Sequence, residues 1–267
     1  MNKENDINET FFNHKIQNTI CSVQELRLPI FAPIKRTSPS SAIYKDFLAN
    51  KRTRSVQTKW GKVQIKGFLL TQAHKDLLDL IIFCAKYKKI TNDNRLLVEF
   101  STANVLKYYG DKGFNYKWFK SMLDEIMSAV IYLKTNDGIG YAFHIISTMK
   151  YNDKEEFLGI FLSSEYLKFY KDTFAINYNK ETLNIVNVEN STIKTAIRFF
   201  ISHNALNLSF DNLLLAIGVK ANKGDRYYRA IKQEFNKNIH LLAEFNIVFK
   251  NDTFTYKGND NVSFFLN

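Results

Sequence analysis

Between Lys220 and Lys237 the chain carries six basic residues, at positions 220, 223, 226, 229, 232 and 237, against two acidic ones, Asp225 and Glu234. If the stretch from Asp225 onward is helical, Tyr228, Ile231, Phe235 and Leu242 recur at helical spacing and form a buried stripe. Arg226, Arg229, Gln233, Asn236 and Lys237 then share the opposite side. That set does particular chemistry: Arg pairs bidentately with guanine, Gln and Asn with adenine, and Lys grips phosphate. Lys220 and Lys223 precede the helix, where a turn would run beside a nucleic-acid backbone. An ordinary solvated helix surface is the alternative. Position favours base reading, because a short helix and a turn come first, as they do before a recognition helix.

A second candidate lies earlier. On a helix capped by Asn115, Tyr116, Lys117 and Lys120 point away from the apolar face, and so do Asp124 and Glu125, whose carboxylates phosphate would repel. This helix suits a structural or subunit-contacting role with some DNA contact from its first turn.

Other chemistry is absent. No Gly-x-x-x-x-Gly-Lys-Ser/Thr occurs, and Gly224 is not followed by Lys-Ser/Thr. His14, His74, His144, His203 and His240 form neither His-x-His nor HExxH, and Asn92-Asp93-Asn94 supplies one carboxylate rather than a metal-binding pair. Cys21 and Cys84 make neither a disulfide framework nor a CxxC. We therefore expect no enzyme activity, no catalytic residues, no metal and no cofactor. The 37 Lys+Arg against 26 Asp+Glu give a formal charge of +11 over 267 residues, which points to a polyanionic partner unless it reflects a Lys-rich composition alone. The apolar run Leu77–Ala85 is broken by Asp79 and is too short for a bilayer, and the polar start Met1–Glu9 is unlike a signal peptide. A cytoplasmic protein with no membrane partner is expected.

The elements that must hold these residues repeat. Residues 1–58 read as a mostly flexible N-terminal segment, with Leu26–Ile34 able to dock as a strand. In 59–180, a strand at Val63–Phe68 precedes a helix capped by Thr71, a strand at Arg95–Phe100, a helix capped by Ser101, a turn at Gly110–Gly113 and the helix from Asn115. Then follow Val130–Lys134, the turn Asn136-Asp137-Gly138 and one long hairpin, Tyr141–Tyr151 with Phe157–Leu162. In 181–267, helices open at Ser191 and Ser209, a third runs from about Asp225 to Glu244, and strands follow at Asn246–Lys250, Thr253–Lys257 and Val262–Leu266. Three helices followed by a β-ribbon, twice, predict an α+β fold of two tandem winged-helix domains. The long apolar hairpin predicts a homodimer through the first of them.

Two words carry a resemblance. Leu28-Pro29-Ile30-Phe31, followed by Gly67-Phe68-Leu69-Leu70-Thr71-Gln72-Ala73-His74-Lys75-Asp76-Leu77-Leu78-Asp79-Leu80-Ile81, resembles the start of the first winged-helix domain in Rep-type replication initiators of theta-replicating (iteron) bacterial plasmids. The resemblance implies double-stranded DNA binding at repeated origin sites, melting of adjoining AT-rich DNA and recruitment of host replication proteins, without nucleotide hydrolysis. It also implies that the C-terminal domain makes the main contacts, while the N-terminal one dimerises and touches DNA secondarily. Residues 1–58 have no counterpart beyond Leu28–Phe31. The residues leave open a winged-helix transcription regulator, and a mobile-element protein-assembly module without DNA binding.

Overall fold

The computed structural model describes residues 21–58, 61–110, 115–135, 138–152, 157–171 and 175–265; readings that fell on 1–20, on most of the Gly110–Gly113 turn, on Asn136-Asp137 and on 153–156 lie outside them. The chain enters through β1 (Cys21–Ser22) and α1 (Val23–Arg27), whose Ser22 hydroxyl accepts from the Glu25 amide. Cys21, Val23 and Leu26 lie in the core of the C-terminal half, while Leu28, Ile30 and Phe31 lie in the core of the N-terminal half. The segment therefore straps the two halves together. Beyond it, α2 (Ala42–Ala49) buries Phe47 against Ala32 and Leu69. Within the expected flexible segment, Leu26–Ile34 docks as anticipated, with Ala32 bridged to Thr71. The correction is that the rest of 21–58 is packed too, because apolar residues scattered among polar ones find separate cores, which a search for periodicity does not detect.

The first winged-helix unit begins with the hairpin β2 (Thr53–Thr58) and β3 (Gly61–Lys66), so a boundary at 58/59 would cut one structural element. Thr71 opens α3 (Gln72–Phe83), with its amide donating to His74 Nδ1 at 3.0 Å. The chain continues through β4 (Tyr87–Ile90), β5 (Leu96–Glu99), α4 (Thr102–Tyr109), α5 (Tyr116–Ser128), β6 (Val130–Thr135), β7 (Gly140–Phe143), β8 (Ile146–Tyr151), β9 (Phe157–Leu162) and α6 (Ser164–Lys171). The strands form two antiparallel sheets, β2-β3-β6-β7 and β4-β5-β9-β8.

The expected single hairpin from Tyr141 to Leu162 is corrected here. Its first strand breaks at His144-Ile145 into β7 and β8, which belong to different sheets. Ser163 accounts for the break, since its amide donates to the Ile145 carbonyl at 3.0 Å and its hydroxyl to the His144 carbonyl at 2.6 Å. Ile145 is fully buried at the corner.

After β10 (Ala175–Asn177) and α7 (Asn179–Val186), the second unit runs α8 (Ser191–Ile201), β11 (Leu206–Ser209), α9 (Phe210–Ala216), α10 (Arg226–Lys237), α11 (Ile239–Glu244), β12 (Ile247–Lys250) and β13 (Thr253–Tyr256). Its sheet order, β11-β13-β12, repeats β5-β9-β8 of the first unit. In both units the strand that leads into the second helix, β5 or β11, pairs with the last strand of the ribbon, β9 or β13, as in a winged helix. The tight wing turn has Asn251 and Asp252 both at positive φ, as a two-residue hairpin requires. Finally β14 (Ser263–Phe265) joins β10 and β1 in a small sheet.

The expected helix from about Asp225 to Glu244 is two helices. Asn238 ends α10 because its side-chain Nδ2 takes the Glu234 carbonyl at 2.7 Å, competing with helical continuation.

Candidate nucleic-acid interface

Phe235 fixes α10. It is fully buried and packs edge-on against Phe210 of α9 and Phe254 of β13, at ring-centroid distances of 5.6 and 5.2 Å. Phe249 of β12 stacks on Phe254 at 4.3 Å. Tyr228 and Ile231 complete the buried stripe expected from the sequence. Tyr228 donates its hydroxyl to Asp211, and this bond to a carboxylate is the main cause pushing its pKa up to about 12. The helix is therefore held along one side by the wing strands and by α9.

Arg226, Arg229, Gln233, Asn236 and Lys237 are all exposed on its free side, with Ala230 among them. Arg226, Arg229, Gln233 and Asn236 make no side-chain hydrogen bond or ion pair with the described residues. Two guanidinium groups and two amides without partners, around a small residue that lets another surface come close, give this face the donors and acceptors of base-edge recognition. Lys237 pairs with Glu234 at 3.2 Å, and Lys232 reaches Asp252 in the wing turn at 2.6 Å. Lys223 is exposed in the preceding turn. Lys220 makes an exposed ion pair with Asp46 of α2 at 3.1 Å, an interaction typically weak enough for a phosphate to displace.

In the first unit, α5 buries Phe119, Met122, Leu123 and Ile126, and Trp118 packs on Tyr109 at 4.6 Å. Lys117 is exposed, whereas Lys120 is half-buried and already has a partner. Glu125 does not point toward a ligand, because it accepts from His74 Nε2 at 3.0 Å and so holds the start of α3 against α5. The structure does not gather Lys117 and Lys120 into a four-residue face like that on α10.

The sequence reading missed a buried ionic network between the units, formed by the same word that carries the family resemblance. Arg198 of α8 donates to Gln72, Asp76 and Asp79 of α3 at 2.6, 2.7 and 2.7 Å. Lys194 reaches Asp76 at 2.6 Å, Lys75 pairs with both Asp79 and Glu25 at 2.7 Å, and Tyr178 donates to Asp79 at 2.9 Å. Three acids and three bases are thus enclosed, a neutral set. Burial opposes the charge on Arg198 and Lys75, but the facing carboxylates outweigh it and raise both pKa values above their ordinary range. Lys194 lies below its usual range because burial prevails over Asp76. The available signal was charge set at i, i+3 and i, i+4 inside two helices rich in apolar residues.

Fold and site together define a pair of winged-helix units joined by a polar, buried seam, with one exposed polar-basic helix face on the second unit. No family model matches the chain, and no curated protein matches it. Two crystal structures of domains 2 and 3 of RctB are similar in arrangement. One, from selenomethionine derivatives, is 10% identical with a TM-score of 0.45. The other is 11% identical with a TM-score of 0.40; each match covers 76% of this chain and 88% of the other. Among the described residues no helix is long and apolar enough to cross a membrane.

Proposed function

We propose that this chain is a sequence-specific double-stranded DNA-binding replication initiator, which binds repeated origin sites, promotes opening of the adjoining DNA and brings host replication proteins to it. The observation that carries DNA reading is the unpartnered set Arg226, Arg229, Gln233 and Asn236 on α10. A recognition helix places its N-terminal residues on base edges in the major groove, and the two arginines occupy the first turns of α10. The Rep-like words Leu28–Phe31 and Gly67–Ile81 support the initiator reading. In this reading the protein works in the cytoplasm on plasmid DNA, without catalysis, metal or cofactor of its own.

Homodimerisation belongs to the same proposal, now through β7, whose outer edge has no strand beside it among the described residues. Sedimentation at micromolar concentration should show a dimer; monomer alone, with and without DNA, removes this part. The function itself is tested on the DNA flanking the gene. Protection of direct repeats, with permanganate-reactive thymines appearing in neighbouring AT-rich sequence, supports an initiator. Protection of a lone palindrome without melting makes the protein a regulator instead.

A further inference from the structure

The four strands β2, β3, β6 and β7 contain no Asp or Glu. Their inward face is formed by Arg54, Val63, Ile65, Ile131, Leu133 and Phe143, all buried. The alternation of a strand then sends Lys62, Gln64, Lys66, Tyr132 and Lys134 outward from the two central strands. Lys62 and Lys134 are direct cross-strand partners, and Gln64 is the partner of Tyr132. Lys66 sits diagonally across, its Nζ 4.4 Å from the centroid of the Tyr132 ring.

Like charges directly opposite one another destabilise a sheet. Here the Lys62–Lys134 pair stands without relief, since none of the three lysines has an ion-pair partner among the described residues. Exposed Lys51 and Arg52 extend the charge beyond the Lys66 end, where the Gly67 amide donates to the Arg52 carbonyl at 3.2 Å. Beside Tyr132 on β7 stands Ala142, whose side chain is a single methyl group, and Tyr132 itself is 36% exposed, with Lys66 over its ring. The face is thus positively charged and carries one accessible aromatic ring.

We propose that this sheet face binds a single-stranded nucleic acid, with phosphates on Lys62, Lys66 and Lys134 and an unpaired base stacked on Tyr132. A duplex encloses the faces of its bases and is read by elements that enter its grooves, whereas a strand laid over a sheet can offer a base to an aromatic side chain. None of these residues belongs to α10, and the case for the sheet face does not depend on duplex reading there.

The test uses the full chain, a labelled oligothymidylate and a labelled duplex carrying the cognate repeat, titrated over several salt concentrations. Tyr132→Thr keeps a strand-forming residue and should weaken oligothymidylate binding at least five-fold. The Lys62→Gln/Lys134→Gln double variant should lower the slope of log K against log salt by about 1.4, from roughly 0.7 for each lost single-strand contact. Both variants should bind duplex within two-fold of the parent, while Arg226→Ala/Arg229→Ala should lose duplex and keep oligothymidylate. The proposal is overturned if the parent fails to bind oligothymidylate, or if variants with unchanged circular dichroism bind it like the parent. It is equally overturned if they lose duplex and single strand alike, which would make the face a general polyanion surface.

Discussion

Arg198 of the second unit donates from Nη2 to Asp79 Oδ2 of the first at 2.7 Å, with the two side chains 3% and 1% exposed. A buried pair is only weakly stabilising against an apolar replacement, but removing one partner strands the other charge in a poorly solvated site. Arg198→Ala leaves Asp76 and Asp79 with Lys194, Lys75 and Tyr178 only. The variant should lose about 3–5 kcal/mol of stability in urea unfolding. A loss under about 1 kcal/mol, the range of an exposed ion pair, would mean that the seam is open to water in solution.

His203 provides a pH dependence. Its Nδ1 lies 2.9 Å from the Phe199 carbonyl and donates to it, its ring packs on Phe199 at 4.8 Å, and burial with nearby Arg27 pushes its pKa down to about 4. The unfolded side chain titrates near 6.5. Between these values the unfolded chain binds the proton and the folded one does not, so stability is complete above about pH 6.5 and falls as pH drops toward 4. His203→Asn should flatten the difference between urea midpoints at pH 7.5 and 4.5. An unchanged difference would assign the slope to other groups.

Gly218 reports on the strap. It adopts φ +71°, and a Cβ there would meet Arg54 Nη2 at 2.6 Å and Pro29 Cβ at 3.1 Å. Arg54 is itself buried, donating to the Pro29 and Gly218 carbonyls, with a pKa lowered to about 10 mainly by burial. Gly218→Ala should cost more than about 1 kcal/mol, combining left-handed strain with displacement of Arg54. A neutral result in thermal unfolding would mean that residues 28–54 are not seated against the second unit.

Helix periodicity made much of this architecture legible. Leu77, Leu78 and Ile81 in α3, and Tyr228, Ile231 and Phe235 in α10, announce their helices and buried faces, and the exposed set on α10 follows from the same spacing. The strap was legible only in part: the docking of Leu26–Ile34 could be read, but Cys21–Leu26 serves the other core and is too short to show a period. The seam was hidden for another reason. Lys75 is a local partner for Asp79, but the charges that complete the neutralisation of Asp76 and Asp79, Arg198 and Lys194, come from α8, more than 100 residues later. The break between β7 and β8 depends on Ser163, a distant hydrogen-bonding residue that alternation cannot reveal.

The central claim is that α10 reads base sequence while the turn before it attracts the backbone, and a salt-dependent titration with cognate and scrambled duplexes separates the two. Arg226→Ala and Arg229→Ala should each weaken cognate binding by about 1–3 kcal/mol and change scrambled binding far less. Lys220→Ala and Lys223→Ala should weaken both duplexes alike and lower the slope of log K against log salt by roughly 0.9 for each lost contact. Lys117→Ala and Lys120→Ala should follow this second pattern or change nothing. Equal loss of cognate and scrambled binding in the two arginine variants would contradict the account, because α10 would then hold DNA without reading it.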